Sequence, residues 1–144
     1  MDSYLDRIRK EGRSANPFFC LMGIDVLDVS NNTASLRMEV RPDMHNGVGW
    51  LQGGLYTALA DEAIALALYP SLAPHEGIAT ISDSTTFIRG VNKGFLVAEG
   101  RVLKKGRRVA FAEAEIFSDD GKKTLLTRTS AAFAITSENQ KKIG

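Results

Sequence analysis

The chain has 144 residues, of which 44% are hydrophobic and 24% are charged, and its formal net charge is +1 at pH 7. This length suits one globular domain that buries enough apolar surface to fold without disulfide or metal support. The nearly neutral charge gives no indication of a nucleic-acid-binding or membrane-surface protein, so attraction to a charged partner must come from local clusters.

The amino-terminal region predicts a short helix followed by a break. Residues 4–11 place apolar side chains opposite a charged face, which is typical of an amphipathic helix, and Asn16-Pro17 is expected to interrupt it. This charged segment has no apolar signal-peptide core. Cys20 is the only cysteine, so we expect no disulfide, a cytoplasmic location and a thiol packed as a small hydrophobic group.

The middle of the chain predicts a hairpin, a loop and a long helix. Residues 23–29 and 33–40 alternate apolar and polar side chains around a polar turn, which indicates two antiparallel strands. Residues 41–49 contain several glycine, asparagine and aspartate residues and predict a loop. Residues 53–68 are apolar on nearly all sides, which predicts a buried helix that ends before Pro70. That helix is too short to span a bilayer.

Four further strands are predicted at residues 78–88, 95–103, 109–117 and 124–135, with turn-like segments between them. Two of these strands carry small side chains at alternate positions, namely Ala98, Gly100, Ala110, Ala112 and Ala114. A face of such small side chains lets a helix lie close to a sheet. We therefore expect an α+β architecture in which one six-stranded antiparallel sheet wraps the long helix. The opposite face would carry Glu99, Arg101, Glu113 and Glu115.

The start of the long helix is the first candidate for chemistry. Gln52, Gly53 and Gly54 stand where backbone N–H groups have no partner within the helix and where the positive end of the helix dipole lies. Such a helix start can stabilise a developing oxyanion. On local grounds alone, the two glycines could equally serve a tight turn and close packing.

Asp61 is the second candidate, because it lies in the most apolar segment, where a carboxylate is costly unless it is paired or used. It could act as a general base or nucleophile, or it could simply lie at a wet interface. Eight residues separate it from Gly53, which is roughly 12 Å along a helix and too far for both to act on one carbonyl. If both are catalytic, Gly53 of one chain must meet Asp61 of another, as in a two-fold dimer.

Basic residues suggest a place for phosphate groups. Arg89 lies near the end of the strand predicted at residues 78–88. The turn between the strands predicted at 95–103 and 109–117 carries four more basic residues, Lys104, Lys105, Arg107 and Arg108. They could bind phosphates, or they could form a solvated hairpin tip. We expect no metal or cofactor, because the sequence has no phosphate-binding loop, dinucleotide fingerprint, serine-hydrolase motif or set of metal ligands.

Residues 17–136 resemble the hot-dog-fold thioesterases of the PaaI-like, phenylacetate-pathway type. The resemblance rests on Asn46-Gly47, Gln52-Gly53-Gly54, Leu59-Ala60-Asp61, Thr85-Thr86-Phe87-Ile88-Arg89 and the segment from Gly100 to Ala110. Members of this family wrap a long helix in an antiparallel sheet, form homodimers and commonly homotetramers, and cleave acyl-CoA thioesters without a cofactor. The resemblance implies one hot-dog domain over residues 1–144, with its core at 17–136, an N-terminal helix at 3–12 and a flexible tail at 137–144.

The resemblance also implies roles for single residues. Asp61 would activate water or attack the thioester carbonyl, and the Gly53 N–H would polarise that carbonyl. Asn46 would position the water or the thioester, and the Thr80 hydroxyl would assist the carboxylate. The implied substrate-binding residues are Gly54, Arg89, Lys105, Arg107 and Arg108.

Two positions depart from the family pattern. Gln52 stands where histidine is usual, and its amide can donate a hydrogen bond but cannot titrate, which predicts weaker or altered activity without a histidine limb in the pH–rate profile. Gly90 stands where a proline often ends the strand. A non-catalytic acyl-CoA-binding protein of the same fold is therefore the alternative function. A dehydratase would rely on a histidine, and neither His45 nor His75 lies on the predicted helix.

Overall fold

The structure is a computed structural model that describes residues 2–137. Its helices are α1 (Tyr4–Glu11), α2 (Pro17–Met22) and α3 (Gly53–Leu68). Its strands are β1 (Ile24–Ser30), β2 (Thr33–Glu39), β3 (Glu76–Phe87), β4 (Phe95–Lys105), β5 (Val109–Ser118) and β6 (Thr124–Ser137). Short 3-10 turns at Gly12–Ala15, Pro42–Met44 and Tyr69–Ser71 complete the described elements.

The six strands form one antiparallel sheet in the order β1-β2-β4-β5-β6-β3, and α3 packs against it. The predicted six-stranded sheet and buried long helix are thus confirmed. Fully buried side chains from both layers, such as Leu36, Ile64, Leu96 and Ile116, form the core between them. This burial of apolar surface is the main stabilising contribution to the fold.

Small residues in β4 and β5 let α3 approach the sheet, as their alternation predicts. Ala98 and Ala110 are completely buried on the face of the sheet that α3 covers. A Cβ atom added at Gly100 would lie 2.7 Å from both the carbonyl carbon and the oxygen of Ala63 in α3. Since both groups belong to rigid backbone, position 100 accepts only glycine unless the helix moves.

The amino-terminal region contains a helix that the sequence did not predict. Asn16-Pro17 was expected to end a helix, but it also begins α2. The side-chain oxygen of Asn16 accepts hydrogen bonds from the N–H groups of Phe18 (2.9 Å) and Phe19 (3.3 Å), and proline is favourable at the first helical position. The same dipeptide signal therefore serves a helix start as well as a stop.

Cys20 is exposed, so the expectation that its thiol packs as a small hydrophobic group was wrong. The buried side chains of α2 are Phe19 and Met22, which lie three residues apart on one side of the helix, and Cys20 lies outside that stripe. Its Sγ donates a hydrogen bond of 3.2 Å to the carbonyl oxygen of Arg13. The thiol is thus accessible at the surface.

Among the described strands, β3 forms one edge of the sheet and pairs only with β6. Its backbone groups on the other side are therefore free to pair with another strand. Ile81 and Phe87 are 57% and 55% exposed, which is unusual for large apolar side chains on a long edge strand. Such an edge is a natural surface for association.

A bulge in β3 decides which side chains face α3. The register with β6 shifts between Thr80 and Ser82, so one extra residue reverses the alternation beyond that point. Thr80 and Asp83 consequently lie on the same face. Further along this face the hydroxyl oxygen of Thr85 is 2.9 Å from that of Thr57 in α3.

The structure describes the start of the chain from residue 2 and its end as far as Ser137. The helix predicted at residues 3–12 is α1, with Ser3 as its N-cap. Ser137 ends β6, and the rest of the tail predicted at residues 137–144 lies outside the described residues. Between residues 2 and 137, no helix is both long and apolar enough to cross a membrane.

Candidate active site

Asp61 lies in α3, half-buried, with its side chain directed toward β3. The Thr80 hydroxyl donates a hydrogen bond of 2.8 Å to Asp61 Oδ1. This charge-assisted contact fixes the orientation of the carboxylate and leaves its second oxygen for another partner. The structure therefore brings together Asp61 and Thr80, two of the predicted site residues.

The carboxyl group of Asp83 lies beside that of Asp61. Asp83 Oδ1 is buried and receives no hydrogen bond from the residues that the structure describes. Burial raises the pKa of Asp83 to about 6, and the negative charge of Asp61 and a side-chain hydrogen bond with Asp61 add to this effect. Below that pH the Asp83 carboxyl group carries a proton and can donate a hydrogen bond to Asp61.

Glu62 faces a cleft of about 290 Å³ whose walls also include Asp61, Tyr4, Asn16 and Tyr69. Burial, followed by the charge of Asp61, raises the pKa of Glu62 to about 7, and the Asn16 side chain partly opposes this shift. Asn16 Nδ2 also donates a hydrogen bond of 2.7 Å to the Tyr4 hydroxyl. The cleft thus places two carboxyl groups of α3 next to α1.

The start of α3 presents a backbone donor. The side-chain oxygen of Gln52 accepts a hydrogen bond from the Gly54 N–H, and the Leu55 N–H donates to the Gln52 carbonyl oxygen at 3.1 Å. The Gly53 N–H donates to no group within residues 2–137. Gly53 is therefore the glycine whose N–H can bind a ligand oxygen at the positive end of the helix, whereas that of Gly54 is already used.

Asn46 shapes the loop that leads into α3. Its side-chain oxygen accepts hydrogen bonds from the N–H groups of Val48 (3.0 Å) and Trp50 (3.1 Å), and its own N–H donates to the Trp50 carbonyl oxygen at 2.7 Å. Only its Nδ2 is then left to contact a ligand. His45 Nε2 lies 2.7 Å from the carbonyl oxygen of Asn92 and holds the neighbouring loop.

The start and the middle of α3 lie beside different parts of β3. A Cβ atom at Gly53 would be 3.6 Å from the Phe87 ring, whereas Asp61 is bonded to Thr80. The strand segment from Thr80 to Phe87 spans about 20 Å. A single chain therefore cannot bring the Gly53 N–H and the Asp61 carboxylate to one carbonyl group.

The basic residues do not form one cluster within a single chain. Arg89 follows β3, at the end of the sheet where α3 starts. Arg107 and Arg108 are exposed in the turn before β5, and the pairing of β5, β6 and β3 puts this turn at the other end. Lys105 is only 24% exposed and lies 3.7 Å from the Glu76 carboxylate.

The sequence did not identify Asp83 as part of the site. A strict two-residue alternation places Asp83 on the opposite face of the strand from Thr80, and only the bulge brings both toward α3. The one available signal was an acidic residue inside the strand predicted at residues 78–88, whose other side chains are uncharged. Within residues 2–137, no group of three or more histidine, cysteine, aspartate or glutamate residues is arranged to hold a metal ion.

Together, these groups suit attack on a carbonyl compound. An oriented carboxylate can take a proton from water or attack the carbonyl carbon directly. A free N–H at a helix start can bind the oxygen on which negative charge develops. Both groups are present in each chain, although at separate positions.

Comparison with known proteins identifies the family that shares these features. The model of a family described as the thioesterase superfamily matches residues 49–125, a span that includes Gly53, Asp61 and Thr80. A Deinococcus radiodurans protein, whose name gives it an unproven esterase activity, is 35% identical over 108 residues, which cover 74% of this chain and 67% of that protein. A Listeria monocytogenes protein named 1,4-dihydroxy-2-naphthoyl-CoA hydrolase is 22% identical over 111 residues, covering 77% and 90%.

A solved structure shares the fold of this chain. The crystal structure of a thioesterase from Haemophilus influenzae superimposes with a TM-score of 0.81 at 17% sequence identity, covering 96% of this chain and 93% of that one. At 17% sequence identity, this structural similarity shows the fold alone. The hot-dog fold expected from the sequence is confirmed.

Proposed function

Since the chain belongs to the thioesterase superfamily and is a thioester hydrolase, we propose that it cleaves an acyl-CoA to a free acid and CoA. The observation that supports this most is the combination of Asp61, oriented by Thr80, with the unoccupied Gly53 N–H at the start of α3. The exposed free thiol of Cys20 suits the reducing cytoplasm, which we propose as its compartment.

Asp61 acts on the thioester carbonyl either through water or directly. In the first route a water oxygen bonds to the carbonyl carbon while Asp61 takes the water proton. The carbon–sulfur bond then breaks, and the proton passes to the departing CoA sulfur. The Gly53 N–H binds the carbonyl oxygen as it gains negative charge, and Gln52 Nε2 donates a second hydrogen bond to it. In the second route Asp61 attacks the carbon itself, and the carbon–sulfur bond breaks to release the CoA thiolate. Water then hydrolyses the resulting mixed anhydride to the free acid and the Asp61 carboxylate, and the CoA sulfur takes up a proton.

The complete site forms between two chains. We infer that the β3 edges of two copies pair antiparallel about Ser84, with Ile81 bulged out of the pairing. In that register Phe87 of one chain lies opposite Thr80 of the partner subunit, so Gly53 of one chain lies beside Asp61 of the other. A two-fold dimer then has two equivalent sites. Pairs of such dimers can associate further into a homotetramer.

The same register gives the CoA phosphates a basic surface. It places Arg89 of one chain at the end of the joined sheet where Arg107 and Arg108 of the partner subunit lie. These three guanidinium groups form no ion pair within the described residues. They are thus available for phosphate oxygens. Lys105, with Glu76 as its partner, contributes less to this surface than predicted from the sequence.

The experiment that tests the proposal measures thiol release from short, medium, long and aromatic acyl-CoAs. Asp61→Asn should reduce kcat by about 100-fold or more, because the amide can neither accept the proton nor attack. Gly53→Pro replaces the amide hydrogen with a ring carbon, and it should reduce kcat by a similar factor through loss of the oxyanion donor. Proline fits there because Gly53 is the first helical residue and Gln52 has φ −61° and ψ 130°, which suits a residue before proline.

Gly53→Ala is the matched variant, since its Cβ atom has room beside Phe87 and its N–H is retained. It should lose much less activity than Gly53→Pro. Equal activity of the parent and Asp61→Asn would contradict the assigned chemistry. Stabilisation by CoA without turnover of any thioester would favour the alternative, a non-catalytic acyl-CoA-binding protein. Single turnover in ¹⁸O-labelled water separates the two routes, because only direct attack leaves the label on Asp61.

A further inference from the structure

Asp83 is an ionisable group beside the proposed catalytic carboxylate for which hydrolysis itself provides no role. It lies in the middle of β3, directed toward α3 by the bulge after Thr80. Its Oδ1 atom is buried without a hydrogen-bond donor in the described part of the chain. A buried carboxylate oxygen in that situation is costly unless the carboxyl group carries a proton that it can share.

Asp61 is the group that can accept a hydrogen bond from a protonated Asp83. From α3 the ionisable side chains near Asp83 are Asp61 and, in the adjoining cleft, Glu62. From β6 the residue opposite Asp83 is Ala131, and the one ionisable side chain of that strand, Arg128, is paired with Glu115 at 2.8 Å. Within residues 2–137, no cation therefore faces the two aspartates from α3 or β6.

The hydrogen bonds of Asp61 make the consequence specific. Asp61 Oδ1 already accepts a hydrogen bond from Thr80. We propose, on the basis of the function proposed above, that Asp83 is a positioning residue that gates Asp61. When Asp83 is protonated, it donates a hydrogen bond to an oxygen of the Asp61 carboxylate and competes there with the water to be activated. When Asp83 is ionised, it no longer donates, and that oxygen of Asp61 is available to the water. Asp83 itself does not touch the substrate.

This gate predicts a pH dependence with a definite sign. The pKa of Asp83 is raised to about 6, mainly by burial. The protonated, blocking form therefore predominates at pH 5, and the ionised, open form predominates at pH 8. We expect kcat to rise with pH through an inflection near 6, by about 10-fold, the effect of one hydrogen bond to a charged group that water must displace.

Two variants separate the gate from a merely structural role. In Asp83→Asn the amide donates the same hydrogen bond at every pH, so kcat should equal that of the parent at pH 5 and stay about 10-fold below it at pH 8. In Asp83→Ala no donor is present, so kcat should equal that of the parent at pH 8 and exceed it at pH 5. Asp28→Asn, an exposed aspartate on the opposite edge strand β1, is the matched control and should follow the parent profile.

A second measurement needs no substrate. In protein labelled with ¹³C at the aspartate carboxyl groups, the resonance that disappears in Asp83→Asn should titrate near pH 6, and its pKa should fall in Asp61→Asn because the neighbouring charge is lost. An Asp83 that titrates at an ordinary pKa, or whose titration ignores Asp61→Asn, would overturn the gate. So would an inflection near pH 6 that persists in both Asp83 variants. If no thioester is hydrolysed, the proposed function fails, yet the titration still decides whether the two carboxyl groups share a proton.

Discussion

The hydrogen bond from Thr80 to Asp61 can be tested directly by substitution of Thr80. Thr80→Val keeps the shape of the side chain but removes the donor of the 2.8 Å hydrogen bond. We expect kcat to fall by about 10-fold, because the carboxylate loses a charge-assisted hydrogen bond that holds its orientation. Thr80→Ser retains the hydroxyl and should lose less than about 3-fold. Steady-state kinetics on the best acyl-CoA would measure both; equal losses in the two variants would show that the hydroxyl is unimportant.

Glu62 allows a stability prediction with a definite sign. Its pKa is raised from 4.5 to about 7 by burial and by the charge of Asp61. Between these two values the folded chain binds more protons than the unfolded chain, so the free energy of unfolding falls as pH rises from about 5 to 7. Glu62→Gln removes this titration and should be more stable than the parent at pH 8 by about 1–3 kcal/mol.

Urea unfolding at pH 5 and pH 8 measures this difference. The exposed Glu39→Gln on β2 is the matched control and should leave the pH dependence unchanged. The prediction fails if Glu62→Gln is less stable than the parent at pH 8, or if its advantage is the same at both pH values. Either result would place Glu62 in contact with more water than the cleft beside Tyr4 and Asn16 indicates.

At the next scale, the contact between α3 and β4 depends on Gly100. Gly100→Ala would place a Cβ atom 2.7 Å from the Ala63 backbone, and neither backbone can yield without separating helix from sheet. We expect a loss of about 1–3 kcal/mol in the free energy of unfolding, as for other overpacked cores. Gly47→Ala is the matched control for stability, because a Cβ atom there meets nothing within 4 Å. A neutral Gly100→Ala variant would mean that the helix and sheet are less closely packed.

The elements that could be predicted from the sequence are those whose local signals agree with their tertiary setting. The helix from Gly53 to Leu68 has a glycine start, a proline stop and an apolar surface, and all three indicate the same buried helix. α2 was missed because a proline after Asn16 can either stop or start a helix, and only the capping geometry decides.

The predictable part of the site follows the same rule. The glycines stand at the start of the predicted helix and Asp61 is a carboxylate within its apolar sequence, and so they could be identified. Asp83 could not, because its direction depends on the bulge near Ile81, and no local residue preference marks a bulge in a run of serine, threonine and isoleucine. The register of an edge strand is set by its partner, here β6, rather than by its own residues.

For the whole molecule, the separation of Gly53 and Asp61 predicts that inactive variants rescue each other. A dimer of one Asp61→Asn chain and one Gly53→Pro chain has one site with both groups intact and one site with neither. After random exchange half of the dimers are mixed, so the mixture should regain about a quarter of the parent activity. Activity should be measured before and after exchange in mild urea, alongside each variant treated alone.

The control for this rescue is a chain that carries both substitutions. Mixed with either single variant, it cannot supply the missing group to an otherwise intact site, and no recovery is expected. A mixture of the two single variants that stays at the sum of its components would place the Gly53 N–H and the Asp61 carboxylate of each working site in one chain. That result would contradict the β3 pairing about Ser84, while leaving the thioester chemistry untouched.

The position of β3 at the edge beyond β6 also determines when the site can exist during synthesis. β3 leaves the ribosome early, but Glu76 must find Ser137 and Thr85 must find Thr129, with two whole strands lying between them in the chain. Hairpins such as β4–β5 can form as soon as both strands are made. The pairing of β3 with β6 must close a much longer loop, at a higher entropic cost, and it cannot begin before β6 has been synthesised. The strand that carries Thr80 and Asp83 is therefore the last part of the sheet to form. Until it pairs, its exposed apolar side chains, Ile81 and Phe87, are a target for chaperones.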